Sequence, residues 1–285
     1  MAIELVTKFL PFVDELFSIE SKSSMLTNKS FVFDGAHSVK IWKIGTAAMN
    51  DYGRNGAADG LWSRYGEILD LDATTETLTL RKDRSFTYVI DRLDEDESGV
   101  KAAEALARQL RQVVVPEIDL YTISQMAANA GHKPAAAALT AANIYDEIIK
   151  GSNALDTSEA PETGRVLIVT PDTYLLMKQS DDIVMDTDIG NEMRVKGVIA
   201  MVDGMPILRV PAARVPAGFG FMIAHPVATV GVEKLAAYKV HQDPPGINGC
   251  LTEGRIVYDA FVPANKAGAI YLHSIPTASE SKEEA

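Results

Sequence analysis

His37, His132, His225, His241 and His273 are the chain's five imidazoles, and none stands in a spacing that binds zinc. A zinc site needs histidines one helical turn apart or cysteine thiolates, and the sequence has neither an H-E-x-x-H pair nor a second cysteine. His241 and Asp243 have the spacing that puts two ligands on one side of a strand, but Pro244 and Pro245 follow and predict a turn. Cys250 is the single cysteine, which excludes an intrachain disulfide and a thiolate cage. Beside Gly249, at a turn-to-strand step, it reads as a small buried hydrophobe rather than a nucleophile. The acidic run Asp181, Asp182, Asp186 and Asp188 does not make a calcium loop. Counted from Asp186, Asn191 and Gly197 fall where a glycine and a glutamate are required, so a solvated loop is expected. Gly218-x-Gly220 lacks the further glycine and the lysine of phosphate-binding loops, and no G-x-S-x-G elbow occurs. The expectation is a protein with no catalytic residues, no cofactor and no metal. An α/β enzyme of unrecognised type, using Asp172, Asp181 or His225, is the alternative from another class.

The chain of 285 residues is long enough for one large or two modest domains. Acidic side chains outnumber basic ones 39 to 27, a formal net charge of −12, and no basic run exceeds two residues. Duplex binding driven by phosphate neutralisation is therefore not expected, and contact with DNA should be weak and non-specific. Glu4, Lys8, Pro11, Asp14 and Glu15 break up the N-terminal region before a signal-like apolar run develops. No segment reaches the ~20 apolar residues of a membrane span. A reducing cytoplasm is the expected site of synthesis.

Residues 3 to 19 carry apolar side chains at Leu5, Val6, Phe9, Phe12, Val13, Leu16 and Phe17, a helical spacing interrupted by Pro11. This segment could pack on its own domain, which the residues alone favour, or bury its stripe on a neighbouring subunit. Strands are expected over 38–44, 76–80 and 86–90. Between Gly45 and Thr75 lies a glycine-punctuated excursion holding Trp62, Arg64 and Tyr65. Loops of that length are usually functional, and large aromatics with an arginine are interface material. The bland alternative is that Trp62 folds back on the body.

From Asp94, an N-cap with Glu97 at the capping-box position, a helix is expected through Val100, Ala103, Leu106, Ala107, Leu110, Val113 and Val114. Beyond Pro116 the periodicity resumes through Leu120, Tyr121, Ser124 and Met126 until Gly131. The whole would be a spine of about 35 residues, roughly 50 Å. Pro116 either hinges this rod or opens a second helix. Thr140 is expected to open another helix. Gly164 to Val169 should be a buried strand, Thr170-Pro171 the start of a short helix, and Gly204 to Val210 a further strand, making an α/β block over 140–220. Short apolar runs from Phe219 to Leu272, separated by Asp243-Pro-Pro-Gly246, Asn248-Gly249 and Pro263-Ala-Asn265, are expected to close a sheet.

The phrases WSRYGE (62–67), TLRKDRSF (79–86), RVLIVTP (165–171) and GFMIAHPV (220–227), in this order, resemble those of tailed-phage or prophage major capsid proteins with the Hong Kong 97 fold. The resemblance spans roughly residues 3 to 272. It implies an α+β fold with an N-terminal arm at 1–35 and a peripheral domain at 36–135 and 221–275. That domain would include an extended loop at 45–75 and a spine helix at 94–130. An axial domain would occupy 136–220 and a flexible tail 276–285. The implied function is a structural subunit that self-assembles through hexamers and pentamers into an icosahedral virion shell around double-stranded DNA. Assembly would take place in the host cytoplasm. Subunit-interface candidates are Leu5, Phe9, Phe12, Leu16, Trp62, Arg64 and Tyr65, with Pro116 as a hinge. Implied partners are the chain itself, a portal protein, a separate scaffolding protein and decoration proteins, with no membrane. Some family members carry an N-terminal scaffolding region, and here the arm is expected to begin at Met1. Others weld subunits through a loop lysine. None lies between Gly45 and Thr75, so a non-covalent shell is expected. A cellular compartment shell of the encapsulin type is the alternative within the fold.

Overall fold

The structure, a computed structural model, describes residues 21–28, 38–55, 63–67, 70, 73–93, 102–180 and 201–276. Leu5, Phe9, Phe12 and Leu16, Trp62, the expected cap at Asp94, the acidic loop at 181–190 and the tail beyond 276 lie outside the described residues. Two compact units emerge, Met1–Val32 with Arg81–Ala285, and Phe33–Leu80.

The first unit contains two sheets that follow two different patterns of sequence. Strands β3 (Lys82–Asp91), β8 (Val230–Gln242) and β9 (Gly249–Phe261) form an antiparallel sheet in the order β3-β9-β8. Along the middle of β9 buried and exposed residues alternate, with Thr252, Gly254, Ile256 and Tyr258 inward and Glu253 and Arg255 outward. Such a strand covers a core with one face only. The turn between β8 and β9 is the one that Pro244 and Pro245 predict. Asp243 stands at φ 45° and Gly246 at φ 87°, and the Gly249 amide donates to Asp243 Oδ1.

The second sheet has the order β10-β7-β4-β6-β5, from strands β4 (Val166–Val169), β5 (Met201–Val202), β6 (Met205–Arg209), β7 (Phe219–Ala224) and β10 (Ile270–Ser274). Residues 221–275 were expected with the hairpin strands in the peripheral domain; in the structure β7 pairs with β4 of the inserted block, and β10 pairs with β7. The reason is continuous burial: every residue of β4 and β7 is inside, so both faces must be covered. Helices α3 (Ile144–Thr157) and α4 (Pro171–Gln179) help to cover them through Ile144, Ile148, Leu155 and Met177. Helix α4 starts as its residues predict, with Thr170 Oγ1 accepting the Thr173 amide and Pro171 in the first turn. The helix expected from Thr140 begins only at Ile144, because Asn143 Oδ1 accepts the Thr140 amide and holds a turn there.

The spine is described as α1 (Ala102–Gln109), a π turn at Leu110–Val114 and α2 (Val115–Ala128). Pro116 stands in the first turn of α2, directly after the π turn. Its ring lacks an N–H and would press on the carbonyl four residues back. The preceding turn is widened instead, with the Val115 amide donating to Leu110 O. The extra residue rotates the buried face, which leaves Val113, expected inside, half exposed. Leu106, Leu110 and Val114 pack on Tyr238, Ile256 and Tyr258 of the three-stranded sheet, while Ile123 and Met126 enter the core of the five-stranded one. Each such side chain contributes about 1.5–3 kcal/mol when fully buried, so one helix ties two cores together.

His273 on β10 is buried, stacked 5.0 Å from the Phe221 ring, and neither ring nitrogen makes a hydrogen bond. Burial holds its pKa below the usual imidazole value, Glu147 at 3.6 Å pulls it up, and Lys150 adds to the depression. The unfolded chain therefore accepts a proton that the folded chain refuses. This contribution to stability is whole above about pH 6.5 and is lost as the pH falls below it. Replacing His273 with Phe is expected to flatten the fall in urea-unfolding free energy between about pH 7 and pH 5. Parallel curves for the two proteins would contradict it.

Candidate functional site

Helix α2 carries a row of polar side chains that fix the chain where other segments meet it. Asp119 is fully buried, and both carboxylate oxygens are used. Ser21 Oγ and the Ser23 amide donate to Oδ1 at 3.0 Å each. The Lys22 amide at 3.1 Å and Arg214 Nη1 at 3.0 Å donate to Oδ2. The segment held in this way, Ser21 to Asn28, continues with Leu26 buried in the core. Its far end is tied by the Asn28 amide, which donates to Thr229 O at 2.7 Å. Gly231 leaves room for Thr27, whose side chain would lie under 3 Å from an added Cβ.

A second buried carboxylate, Asp259 on β9, accepts from Arg81 and Tyr121. The Arg81 amide lies at 2.8 Å, Arg81 Nε at 3.1 Å and the Tyr121 hydroxyl at 2.8 Å. Gln125 Oε1 accepts from the other side of the same guanidinium. Arg81 is where the chain enters the first unit after Leu80. Burial pushes the Tyr121 hydroxyl up to about 12, and its hydrogen bond to Asp259 and that group's charge add to the shift. The hydrogen bond to Asp259 raises the Arg81 guanidinium in turn. One turn earlier on α2, Glu117 accepts from the Tyr258 hydroxyl at 3.1 Å and from Arg84 at 2.9 Å. Burial, followed by the Glu117 charge, pushes Tyr258 up.

The unit Phe33–Leu80 is a hairpin with a long insertion. Strands β1 (Ser38–Ile44) and β2 (Ala73–Thr79) pair antiparallel from Ser38↔Thr79 to Ile44↔Ala73. Strand β1 has the expected bounds, whereas β2 starts three residues before the expected 76. Within the excursion the described residues are cross-linked. The Gly53 amide donates to Arg64 O at 2.8 Å, and the Tyr52 and Tyr65 rings meet edge to face at 5.1 Å. Gly66, at φ 93°, sits where a Cβ would strike Asn50, so the turn after Tyr65 requires glycine. Tyr65 is 78% exposed, Tyr52 53% and Met49 fully exposed. Of the expected interface residues, Arg64 and Tyr65 are thus brought together with Tyr52 on one folded loop.

The residues that an enzyme would have used are placed otherwise. His225 Nδ1 accepts the Val227 amide and Nε2 lies 3.0 Å from Thr163 O, so main chain engages both nitrogens. Asp172 is exposed in the first turn of α4, and Asp181 lies outside the described residues. Among the described residues no group of three or more His, Cys, Asp or Glu side chains could hold a metal ion. No described helix is long and apolar enough to cross a membrane.

Sequence reasoning missed Asp119 and Asp259. A signal for the first exists: Val115, Asp119, Thr122, Ile123 and Met126 recur at helical spacing and all are buried, so Asp119 stands on the inner stripe. Asp259→Asn is expected to lower subunit stability by about 1–3 kcal/mol, because it replaces a charged acceptor of several hydrogen bonds. An unchanged urea midpoint and slope would show that the cluster contributes nothing to folding.

Residues 79–272 match a protein family described as phage capsid protein, a span that takes in the described spine, the three-stranded sheet, nearly all of the five-stranded one and both Asp119 and Asp259. No curated protein matches the sequence. Among solved structures, a chain of Mycobacterium phage Che8 is similar with a TM-score of 0.67 and 18% identity, over 87% of this chain and 89% of that one. The mature capsid of bacteriophage PhiM1 gives a TM-score of 0.66 and 18% identity, over 89% and 87% respectively. A virus-like particle from Pyrococcus furiosus gives 0.58 and 12%, over 95% of this chain and all of that one. An α+β chain whose spine ties a hairpin sheet to a five-stranded sheet, matched over more than half its length, belongs to the phage capsid protein family: it has the Hong Kong 97 fold and is a structural protein of a capsid shell.

Proposed function

We propose that this chain is the major capsid protein of a tailed phage or prophage, assembling through hexamers and pentamers into an icosahedral shell that encloses double-stranded DNA in the host cytoplasm. The family match over 79–272 is the observation that carries the reading. In this reading the five-stranded sheet with α3 and α4 is the axial domain. The three-stranded sheet with the spine is the peripheral domain, the β1–β2 unit is the extended loop, and residues 1–20 lead the arm. The chain works without catalytic chemistry. Its partners are further copies of itself, a portal, a separate scaffolding protein and decoration proteins, and its DNA contacts are non-specific. A net charge of −12 suits a wall that must not adhere to its contents. The spine takes up differences of curvature at its wide turn before Pro116, where the helix is already loosened.

A second reading has one observation in its favour, the likeness that covers the whole length of the Pyrococcus furiosus particle chain. A cellular compartment shell would enclose protein cargo instead of a genome. Particles purified from cells that express the native locus are expected to contain nuclease-protected duplex DNA. Hot detergent should release a single band at the mass of one chain. A protein cargo without DNA would favour the compartment, and a ladder of higher bands would show covalent linkage.

The loop is expected to bury Met49, Tyr52, Trp62 and Tyr65 on a neighbouring copy. Exposed aromatics on a cross-linked loop offer large area at little entropic cost. Replacing Trp62 and Tyr65 together with Ala should leave a folded, soluble subunit while particle yield falls at least about tenfold, as the loss of one or two aromatic anchors implies. An unchanged yield would remove the loop from the interface.

A further inference from the structure

Asp119 has more partners than the packing of a helix needs, and three of the four lie on the segment just after residue 20. Ser21 Oγ, the Lys22 amide and the Ser23 amide converge on its two oxygens, and Arg214 balances the charge at 3.0 Å. Nothing in this cluster reacts or binds a ligand. Its effect is geometric: it fixes the position and direction of the main chain at Ser21 against the middle of α2. The far end of the same segment is fixed independently by the Asn28 amide on Thr229 O and by buried Leu26. A short segment tied at both ends to one rigid helix-and-sheet body has little freedom to swing. Main-chain amides that donate to a buried carboxylate form short, directional bonds, which the low dielectric inside a protein strengthens.

We propose that Asp119 is a positioning residue for assembly, which aims residues 1–20 at a second copy of the chain by clamping Ser21 to Ser23. The proposal rests on the reading of residues 1–20 as an arm that docks on a neighbour. A clamp of this kind adds nothing to the docking contact itself. It raises the effective concentration of the arm at its site by removing orientations that miss it. Arg214, which lies outside the segment, also pairs with the carboxylate at 3.0 Å, so the clamp is built on the body rather than on the arm.

The test is a double-mutant cycle on the full chain, read as the critical concentration for particle formation. Four proteins are compared: the parent, Asp119→Asn, the chain lacking residues 1–20, and the two changes combined. If Asp119 acts by aiming the arm, Asp119→Asn raises the critical concentration in the full chain. It adds nothing once residues 1–20 are removed. Multiplying effects would overturn the clamp reading alone, and a truncation that changes nothing would overturn the arm reading and the clamp with it. Hydrogen exchange supplies a direct readout, since the Lys22 and Ser23 amides should exchange roughly tenfold faster or more in Asp119→Asn, as loss of a bond to a charged acceptor requires. Unchanged exchange there would also overturn the clamp.

Should Asp119→Asn fail to fold, or the truncated chain form no particles, Ser21→Ala removes one donor without touching the body. It is expected to raise the critical concentration while leaving the thermal midpoint of the free subunit unchanged. A loss of midpoint with no change in assembly would show that the cluster serves folding only.

Discussion

A single helix segment, α2, is the constraint on which the rest of the first unit depends. Its apolar side chains reach two cores at once, Ile118 and Tyr121 on the three-stranded sheet and Ile123 and Met126 on the five-stranded one. Its polar side chains hold Ser21 to Ser23 through Asp119, Asp259 through Tyr121, Arg81 through Gln125, and Tyr258 through Glu117. Neither sheet could move alone without stripping apolar contact from this segment. The same segment therefore sets where the chain stands at Ser21 to Ser23 and at Arg81. Buried carboxylates suit that task because an ionised acceptor inside the protein must be fully paired. Apolar packing tolerates sliding, whereas four donors converging on one carboxylate do not.

The π turn separates this fixed segment from α1. Five residues, Leu110 to Val114, carry the consequence of Pro116, whose ring forbids a regular turn before it. A shell built from one sequence needs a subunit that is rigid where copies register with one another and yielding where curvature differs. On the proposed reading, the widened turn between α1 and α2 divides the spine in this way. The exposed loop face at Met49, Tyr52 and Tyr65 has a different origin, since it is stiffened locally by its own ring contact and hydrogen bonds.

Much of the fold was legible in the sequence, for physical reasons that also mark where legibility ends. Ser38 to Ile44, Gly164 to Val169 and the strands around Asp243-Pro-Pro-Gly246 announce themselves through alternation, continuous apolar runs and obligate turn residues. Thr170-Pro171 marks its helix by capping chemistry that depends on neighbours alone. What periodicity could not supply was sheet partnership. The runs at Phe219 and Ile270 say that two faces are buried, but not against which strands, so their place beside β4 in the five-stranded sheet was not readable from them. A helix wheel drawn through Pro116 also fails by one residue, which is why Val113 was expected inside. The two carboxylates were invisible because their donors, Ser21 and Arg81, are distant in sequence, and an aspartate near Leu120 reads as a surface group until the stripe through Val115 and Met126 is drawn.

Side-chain resolution imaging of assembled particles, with every subunit of the asymmetric unit built independently, tests this account most directly. When the copies are superposed on α2, residues 21–28, Arg81 and Asp259 should coincide in all of them, while the direction of α1 changes by several degrees about the π turn. Copies that share one α1–α2 angle but differ at Ser21 to Ser23 or at Arg81 would contradict it, because flexibility would then reside in the junctions that α2 is held to fix.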